Sequence, residues 1–294
     1  MADLMNAADV RRFFAEDIRV VHNIQSPRVI DAIATVPREQ FLPPGPWQIW
    51  GGELVASFFS GSPAHPRQTD DADPRHVYHD LSIAIDPERN LYNGQPSFIA
   101  TWLDLLKIGE GDRVVHIGTG TGYYTALIAH IVGPSGMVHG IEIDPALAQA
   151  ASTNLAGWPW VTVHQGNGSS ALHPDVNVVL VHAGSTHVLE TWLDAVADGG
   201  RLLVPLTTLM PGMPSTVSKG MVLLITRDKT DWRACFTSPV VIYSLQGIRD
   251  EMNEQMLAKA LMSGTFKKVR RLRRDKHELA PTCWLHGSTV CISE

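Results

Sequence analysis

The sequence predicts a doubly wound α/β fold on a mostly parallel sheet. Three observations carry this expectation. From residue 96 onward, short apolar stretches alternate with helical ones of about 10–15 residues, the rhythm of βαβ units. One of these strands, Arg113–Ile117, runs into the glycine turn Gly118-Thr119-Gly120-Thr121-Gly122, which opens a helix. The next strand ends in acidic residues, Glu142 and Asp144.

The elements follow in order. Residues 9–36 read as helical, with Val10, Phe13, Phe14, Ile18 and Val21 at helical spacing and a second stretch after Pro27. Pro37, Pro43, Pro44 and Pro46 break the pattern, and residues 43–80, rich in Gly, Pro, Asp and His, read as a long loop or insertion. Pro96 starts a helix bearing Phe98, Ile99, Trp102, Leu103 and Leu106. The alternation then gives strands at 113–117, 137–143, 161–165, 177–182 and 201–205, with helices at 122–132, 145–155 and 188–197. Beyond a Pro/Ser/Thr/Met loop at 207–219, a strand is expected at 221–226, a helix at 251–262 and a final strand at 288–293. The expected organisation is an N-terminal helical and loop or lid region (1–95), a cofactor-binding core (96–228) and a C-terminal extension that completes the sheet (229–294).

The 294-residue chain is 44% hydrophobic and 18% charged, an ordinary globular composition with length for a sizeable core. The formal net charge of −6 argues against a dedicated nucleic-acid binder. Cys235, Cys283 and Cys291 have no CxxC spacing, so neither a disulfide framework nor a metal site is expected, and a reduced intracellular setting fits. With no apolar run of membrane-spanning length and no secretory h-region at the N-terminus, the protein is expected to be cytoplasmic. The basic run Lys267–Lys276 suits phosphate contacts or an exposed amphipathic strand or turn, and the alternation of Val269 and Leu272 favours the latter. Oligomeric state is not legible.

The glycine turn brings backbone N–H groups close to a ligand beside a helix N-terminus. Dinucleotide sites favour GxGxxG; here the third glycine comes one residue earlier and Tyr123 follows it. The GxGxG spacing resembles motif I of class I methyltransferases. A carboxylate about 20 residues on suits a pair of ribose hydroxyls. Glu142 is the choice, with Asp144 the alternative, although Asp144-Pro145 also reads as a helix cap. The third strand ends in Gln165-Gly166-Asn167-Gly168, where such enzymes commonly place an Asp or Asn against adenine; an ordinary Asn-Gly turn is the competing reading.

Four stretches then resemble one family, the protein-L-isoaspartate O-methyltransferases. They are His116–Ala126 around the glycines, Gly199-Gly200-Arg201-Leu202-Leu203-Val204-Pro205, Val36-Pro37-Arg38-Glu39-Gln40-Phe41-Leu42-Pro43, and Tyr78-x-Asp80 with Leu81 and Ile83. The resemblance covers roughly residues 10–206. It implies a Rossmann-like methyltransferase sheet of the seven-stranded type and S-adenosyl-L-methionine as cofactor. The cofactor would be held by Gly118, Thr119, Gly120, Gly122, Tyr123, Glu142, Ile143, Asn167 and Gly168. The acceptor would be a peptide, protein or small-molecule carboxylate. Where the family carries G-Q-T-I-S-Q-P, this chain has Asn90-Leu91-Tyr92-Asn93-Gly94-Gln95-Pro96. Gln95 and Pro96 match, Gly94 replaces the serine of the acceptor loop, and Tyr92 replaces the threonine. The segment at 51–76 and the last 88 residues fit the family poorly.

Methyl transfer to a carboxylate needs positioning and desolvation more than a strong base. Asn93, Gln95 and His182 are the candidate catalytic residues, the histidine serving as base if the acceptor is a hydroxyl or amine. The N/D-P-P-Y/F motif of nucleobase amino-methyltransferases is missing, since the fourth strand leads into His182-Ala183-Gly184-Ser185. All three cysteines lie beyond residue 230, away from the site that cytosine methylation would need. A methyltransferase for another acceptor (small molecule, modified peptide or RNA) and a non-catalytic cofactor-binding module are the alternatives.

Overall fold

The computed structural model describes residues 6–51, 65–170, 172–209 and 216–294. Two helices open the chain, α1 (Ala7–Val21) and α2 (Pro27–Thr35), capped by the side chains of Asn6 and Ser26. A small antiparallel sheet follows, built from β1 (Gln48–Trp50), β2 (Arg67–Gln68), β3 (Ser82–Asp86) and β4 (Leu91–Asn93) in the order β2-β1-β3-β4. The expected long loop at 43–80 is thus partly sheet, and residues 52–64 of the suspected insertion lie outside the described residues. Strands of two and three residues are too short to show a period-two pattern, so sequence reading missed them.

Helix α3 (Pro96–Leu106) leads into the large sheet. Its parallel block comprises β5 (Arg113–Ile117), β6 (Met137–Glu142), β7 (Val161–Gln165), β8 (Val176–Val181) and β9 (Val196–Leu209). The connecting helices are α4 (Tyr123–Val132), α5 (Pro145–Asn154) and α6 (Glu190–Ala195). Antiparallel strands β10 (Val217–Asp228) and β11 (Asp231–Tyr243) continue the sheet. Helix α7 (Glu251–Met262) precedes β12 (Arg271–Arg273), β13 (Cys283–His286) and β14 (Cys291–Ser293). The full order is β13-β14-β12-β11-β10-β9-β8-β5-β6-β7.

The doubly wound α/β fold is therefore as predicted, lengthened to ten strands by the C-terminal residues. Strand β11 was not predicted, because Pro239 interrupts its apolar run; the proline sits beside the register shift between Met221 and Leu223 that accommodates it. The final strand begins at Cys291, not 288, and β13 was missed. Alternation along the parallel strands divides the core in two. Val114, Val178, Leu180 and Leu203 pack with α1 to α4, whereas Val115, Val179, Val181, Leu202 and Val204 pack with α6 and α7. The basic run became β12 and its flanks, with Val269 and Leu272 buried. Several of its charges have partners: Arg274 pairs with Asp194 at 2.6 Å, Arg273 with Asp275 at 2.5 Å and Lys268 with Glu294 at 3.6 Å. No helix among the described residues is long and apolar enough to cross a membrane.

Candidate active site

In the parallel block the chain runs from β5 outward through β6 to β7, then returns to β8 on the other side of β5. Ligands of open α/β sheets bind outside the strand ends at such a switch point. The glycine turn leaves β5 here. Gly118, Gly120 and Gly122 have φ of +87°, +58° and +101°, a region that L side chains rarely adopt. A Cβ at Gly118 would lie 3.1 Å from the His182 carbonyl oxygen, so its absence lets the exits of β5 and β8 approach. On the Cβ side of Gly120 there is open space within 4 Å.

The carboxylate of Glu142, 7% exposed, closes under this turn. One oxygen accepts from the Gly120 N–H at 2.8 Å and the other from the Asp144 N–H at 3.0 Å. Each oxygen retains acceptor capacity. Asp144 is committed elsewhere: it caps α5 through the Ala146 and Leu147 N–H groups and pairs with Arg89. Asn167 forms an Asx turn, its Oδ1 accepting from Ser169 N at 3.0 Å. A Cβ on Gly168 would stand 2.3 Å from Ile117 Cγ2, so glycine lets this loop pack on the end of β5.

The β3–β4 hairpin spans the same edge. At its turn Arg89 reaches Asp144. Tyr243, at the end of β11, donates its hydroxyl to Asn90 O at 2.6 Å and accepts from Tyr92 N at 3.2 Å. The Gly94 carbonyl accepts from Tyr124 and, at 3.2 Å, from Arg38. Arg38 is fully buried and also donates to the carbonyls of Val77, His79 and Leu81 at 3.0, 3.3 and 2.8 Å. Gln95 donates to Asp80 O at 3.1 Å, and the Asp80 side chain accepts from Ser97 N at 2.9 Å. Asn93 is 7% exposed, and its Oδ1 has no hydrogen-bond partner. A Cβ at Gly94 would meet nothing within 4 Å.

Beneath the turn, His182 stacks on His116 at 5.6 Å and meets the edges of Trp102 at 5.6 Å and Tyr124 at 5.3 Å. Burial pushes the His182 imidazole down to about 4. Burial, with His182 as neighbour, holds His116 well below its ordinary range. Both rings are therefore neutral at pH 7. His116 bonds Thr125 at 2.8 Å.

A model of the protein-L-isoaspartate(D-aspartate) O-methyltransferase family matches residues 66–220, over half of the chain. The chain belongs to this family. A protein-L-isoaspartate O-methyltransferase of Roseiflexus castenholzii (strain DSM 13941 / HLO8) is 32% identical over 194 residues, covering 64% of this chain and 74% of the relative. One from Archaeoglobus fulgidus is 30% identical over 206 residues, covering 69% and 82%. A solved protein-L-isoaspartate O-methyltransferase superposes with TM-score 0.60 at 19% identity, over 96% of this chain and 87% of that one. A Plasmodium falciparum structure described as this enzyme, in complex with S-adenosyl-L-homocysteine, gives 0.59 at 16% identity over 80% and 98%. These two show the shared fold.

As a family member the protein is an S-adenosylmethionine-dependent methyltransferase. The structure brings Gly118, Thr119, Gly120, Gly122, Glu142, Asn167 and Gly168 to the C-terminal ends of the neighbouring strands β5, β6 and β7, with Ile143 exposed beside Glu142. The Tyr123 ring is 1% exposed, packed on Phe41 at 5.7 Å and under Arg38, so its side chain belongs to the core. The first helical turn directs it onto Phe41, whereas its neighbour Tyr124 reaches the Gly94 carbonyl after the hairpin. Sequence reading missed Arg38, Tyr124, Arg89 and Tyr243. Arg38 and Tyr124 lie within the family-like segments, and a lone arginine amid Val36, Pro37 and Phe41 was a readable sign of a buried charge that needs hydrogen-bond partners.

Proposed function

We propose that this enzyme transfers a methyl group from S-adenosylmethionine to a carboxylate of a peptide or protein, in an acceptor pocket altered from that of isoaspartate repair. The observation that carries the reading is Gly94. Its carbonyl is pinned by Tyr124 and Arg38, while the place of a side chain stands open. The loop is thus held in position without the serine hydroxyl of its relatives.

The residues present fit the cofactor. The open face at Gly120, the spare acceptor sites of Glu142 and the Asn167–Gly168 loop suit, in turn, a chain leaving the ribose, the ribose hydroxyls and adenine. When bound, the cofactor supplies a methyl group on a sulfonium, ready for in-line displacement. Glu142 holds the glycine turn and would accept from the ribose. The aromatic cluster of buried Trp102 and Tyr124 with half-buried His182 would keep water from the reacting carboxylate. Asn93, with an unpartnered buried Oδ1, and Gln95, which fixes the Asp80 loop, position the acceptor. A carboxylate is already ionised and needs no base, which agrees with the neutral, low-pKa state of His182.

Two measurements test this. Titration calorimetry should show binding of S-adenosylmethionine or its demethylated product and none of NAD. Labelled methyl transferred to a panel of peptides, small acids and nucleic acids should be base-labile, the mark of a methyl ester. Base-stable label on nucleic acid would overturn the reading.

A further inference from the structure

Residues 265–294 lie outside the matched family region and supply the last three strands at the far edge of the large sheet. These strands are three and four residues long, and they join β11 where Arg271 faces Arg233. Pieces this short are marginal without an added staple.

Four side chains converge there. The ligand atoms of His277, Cys283, His286 and Cys291 all lie within 4.8 Å of one another. The backbone explains how. The turn from Gly287 to Val290 places His286 directly opposite Cys291 across β13 and β14, so both point to one face. In a regular strand Cys283, three residues before His286, would face the other way. The register shift between Cys283 and Leu285 adds a residue and brings Cys283 opposite Ser293, on the same face as Cys291. The spacing alone therefore hides the cluster, and the bulge reveals it.

We propose that His277, Cys283, His286 and Cys291 bind one zinc-type divalent cation that staples the C-terminal strands. Two thiolates and two imidazoles make a tetrahedral set typical of structural zinc. With metal–ligand bonds of about 2.0–2.3 Å, the edges of such a tetrahedron are roughly 3.3–3.8 Å. Cys283 Sγ and His277 Nε2 stand 3.6 Å apart. The outer contacts are those of a ligand set. His277 Nδ1 bonds the Asp275 carbonyl at 2.8 Å, which fixes the tautomer that presents Nε2. Cys283 Sγ accepts from the Ala280 N–H at 3.4 Å. His286 Nδ1 is buried with no hydrogen-bond partner, and coordination would satisfy it. Cys283 and Cys291 are free thiols. On binding, the two thiols release their protons to solvent and the metal neutralises both thiolates. All four positions are filled by protein, so the site is structural. It also lies five strands from β8, about 24 Å at ordinary strand spacing.

The test uses the full-length chain purified under reducing conditions. Elemental analysis should find about one zinc per chain. Cys283→Ser with Cys291→Ser should abolish it and lower the melting temperature by several degrees. Because that variant could misfold, the unmutated protein is also stripped with chelator and titrated with cobalt(II). Tetrahedral d–d bands and thiolate charge-transfer absorption at one equivalent are expected, with melting temperature restored. A metal-free protein whose spectrum and melting temperature ignore both ions would overturn the proposal. So would a Cys283–Cys291 disulfide in the reduced preparation.

Discussion

The phenol of Tyr124 donates a hydrogen bond to the carbonyl oxygen of Gly94. The helix behind the glycine turn thus holds the loop that follows β4, and under the proposed function the cofactor and acceptor sites would share one joint. Tyr124→Phe deletes this donor and keeps the ring against His182. The KM for the acceptor should rise several-fold while S-adenosylmethionine affinity stays nearly constant, with a stability loss of about 1 kcal/mol. Steady-state kinetics beside calorimetry checks this; an equal loss of cofactor affinity would show that the joint serves the cofactor instead.

Arg38 is the second pin. It is fully buried and satisfies four carbonyls, at Val77, His79, Leu81 and Gly94. Arg38→Met leaves the Val77, His79 and Leu81 carbonyls without this donor, while Gly94 keeps Tyr124, and should destabilise the protein by roughly 3–5 kcal/mol at about 1–3 kcal/mol for each unsatisfied group. Arg38→Lys should recover little, since an ammonium lacks the planar fork that spans several acceptors. Denaturant unfolding measures both, and a near-neutral methionine variant would remove Arg38 from this role.

Glu142→Ala should cost about 2–4 kcal/mol of cofactor affinity through lost hydrogen bonds to a charged acceptor. The carboxylate also receives the Gly120 and Asp144 N–H groups, so the cofactor-free protein should lose about 1–3 kcal/mol of stability. This second effect follows from the structure; a strand-end carboxylate read from sequence alone is expected to stand free in the cleft. Calorimetry and unfolding curves separate the two losses.

That contrast shows where the sequence was informative. The glycine turn was legible because its backbone conformations admit little else, and the Asp144-Pro145 and Pro96 helix starts because capping is local. The β3–β4 hairpin was not, because its anchors are distant: Tyr243 meets Asn90 and Tyr92 across about 150 residues. The same holds for the C-terminal cluster, where one bulge decides which side chains share a face. Tyr123 and Tyr124 are adjacent and chemically similar, and only the orientation of the first helical turn tells the core ring from the one at the hairpin.

Acid should weaken the fold through its buried histidines. Burial lowers His182 to about 4, and burial with His173 and His164 lowers His139 to about 4. The folded values lie below the unfolded value of about 6.5. The unfolded state therefore binds more protons between these limits, so stability is full above about 6.5 and falls as pH drops toward 4, by up to about 1.4 kcal/mol per pH unit for each proton. Unfolding curves across this range should show the slope, and His182→Phe should reduce it. An unchanged slope would mean that His182 protonates freely in the folded protein.

The proposed change of acceptor is tested most directly by base-labile methyl transfer from labelled S-adenosylmethionine to an isoaspartyl peptide, comparing the unmutated enzyme with Gly94→Ser. A Cβ at Gly94 meets nothing within 4 Å, so the serine enters without strain. The account predicts weak or absent transfer by the unmutated enzyme and a clear gain in the serine variant. Efficient turnover by the unmutated enzyme, unimproved by the serine, would contradict it and make isoaspartate repair the better reading.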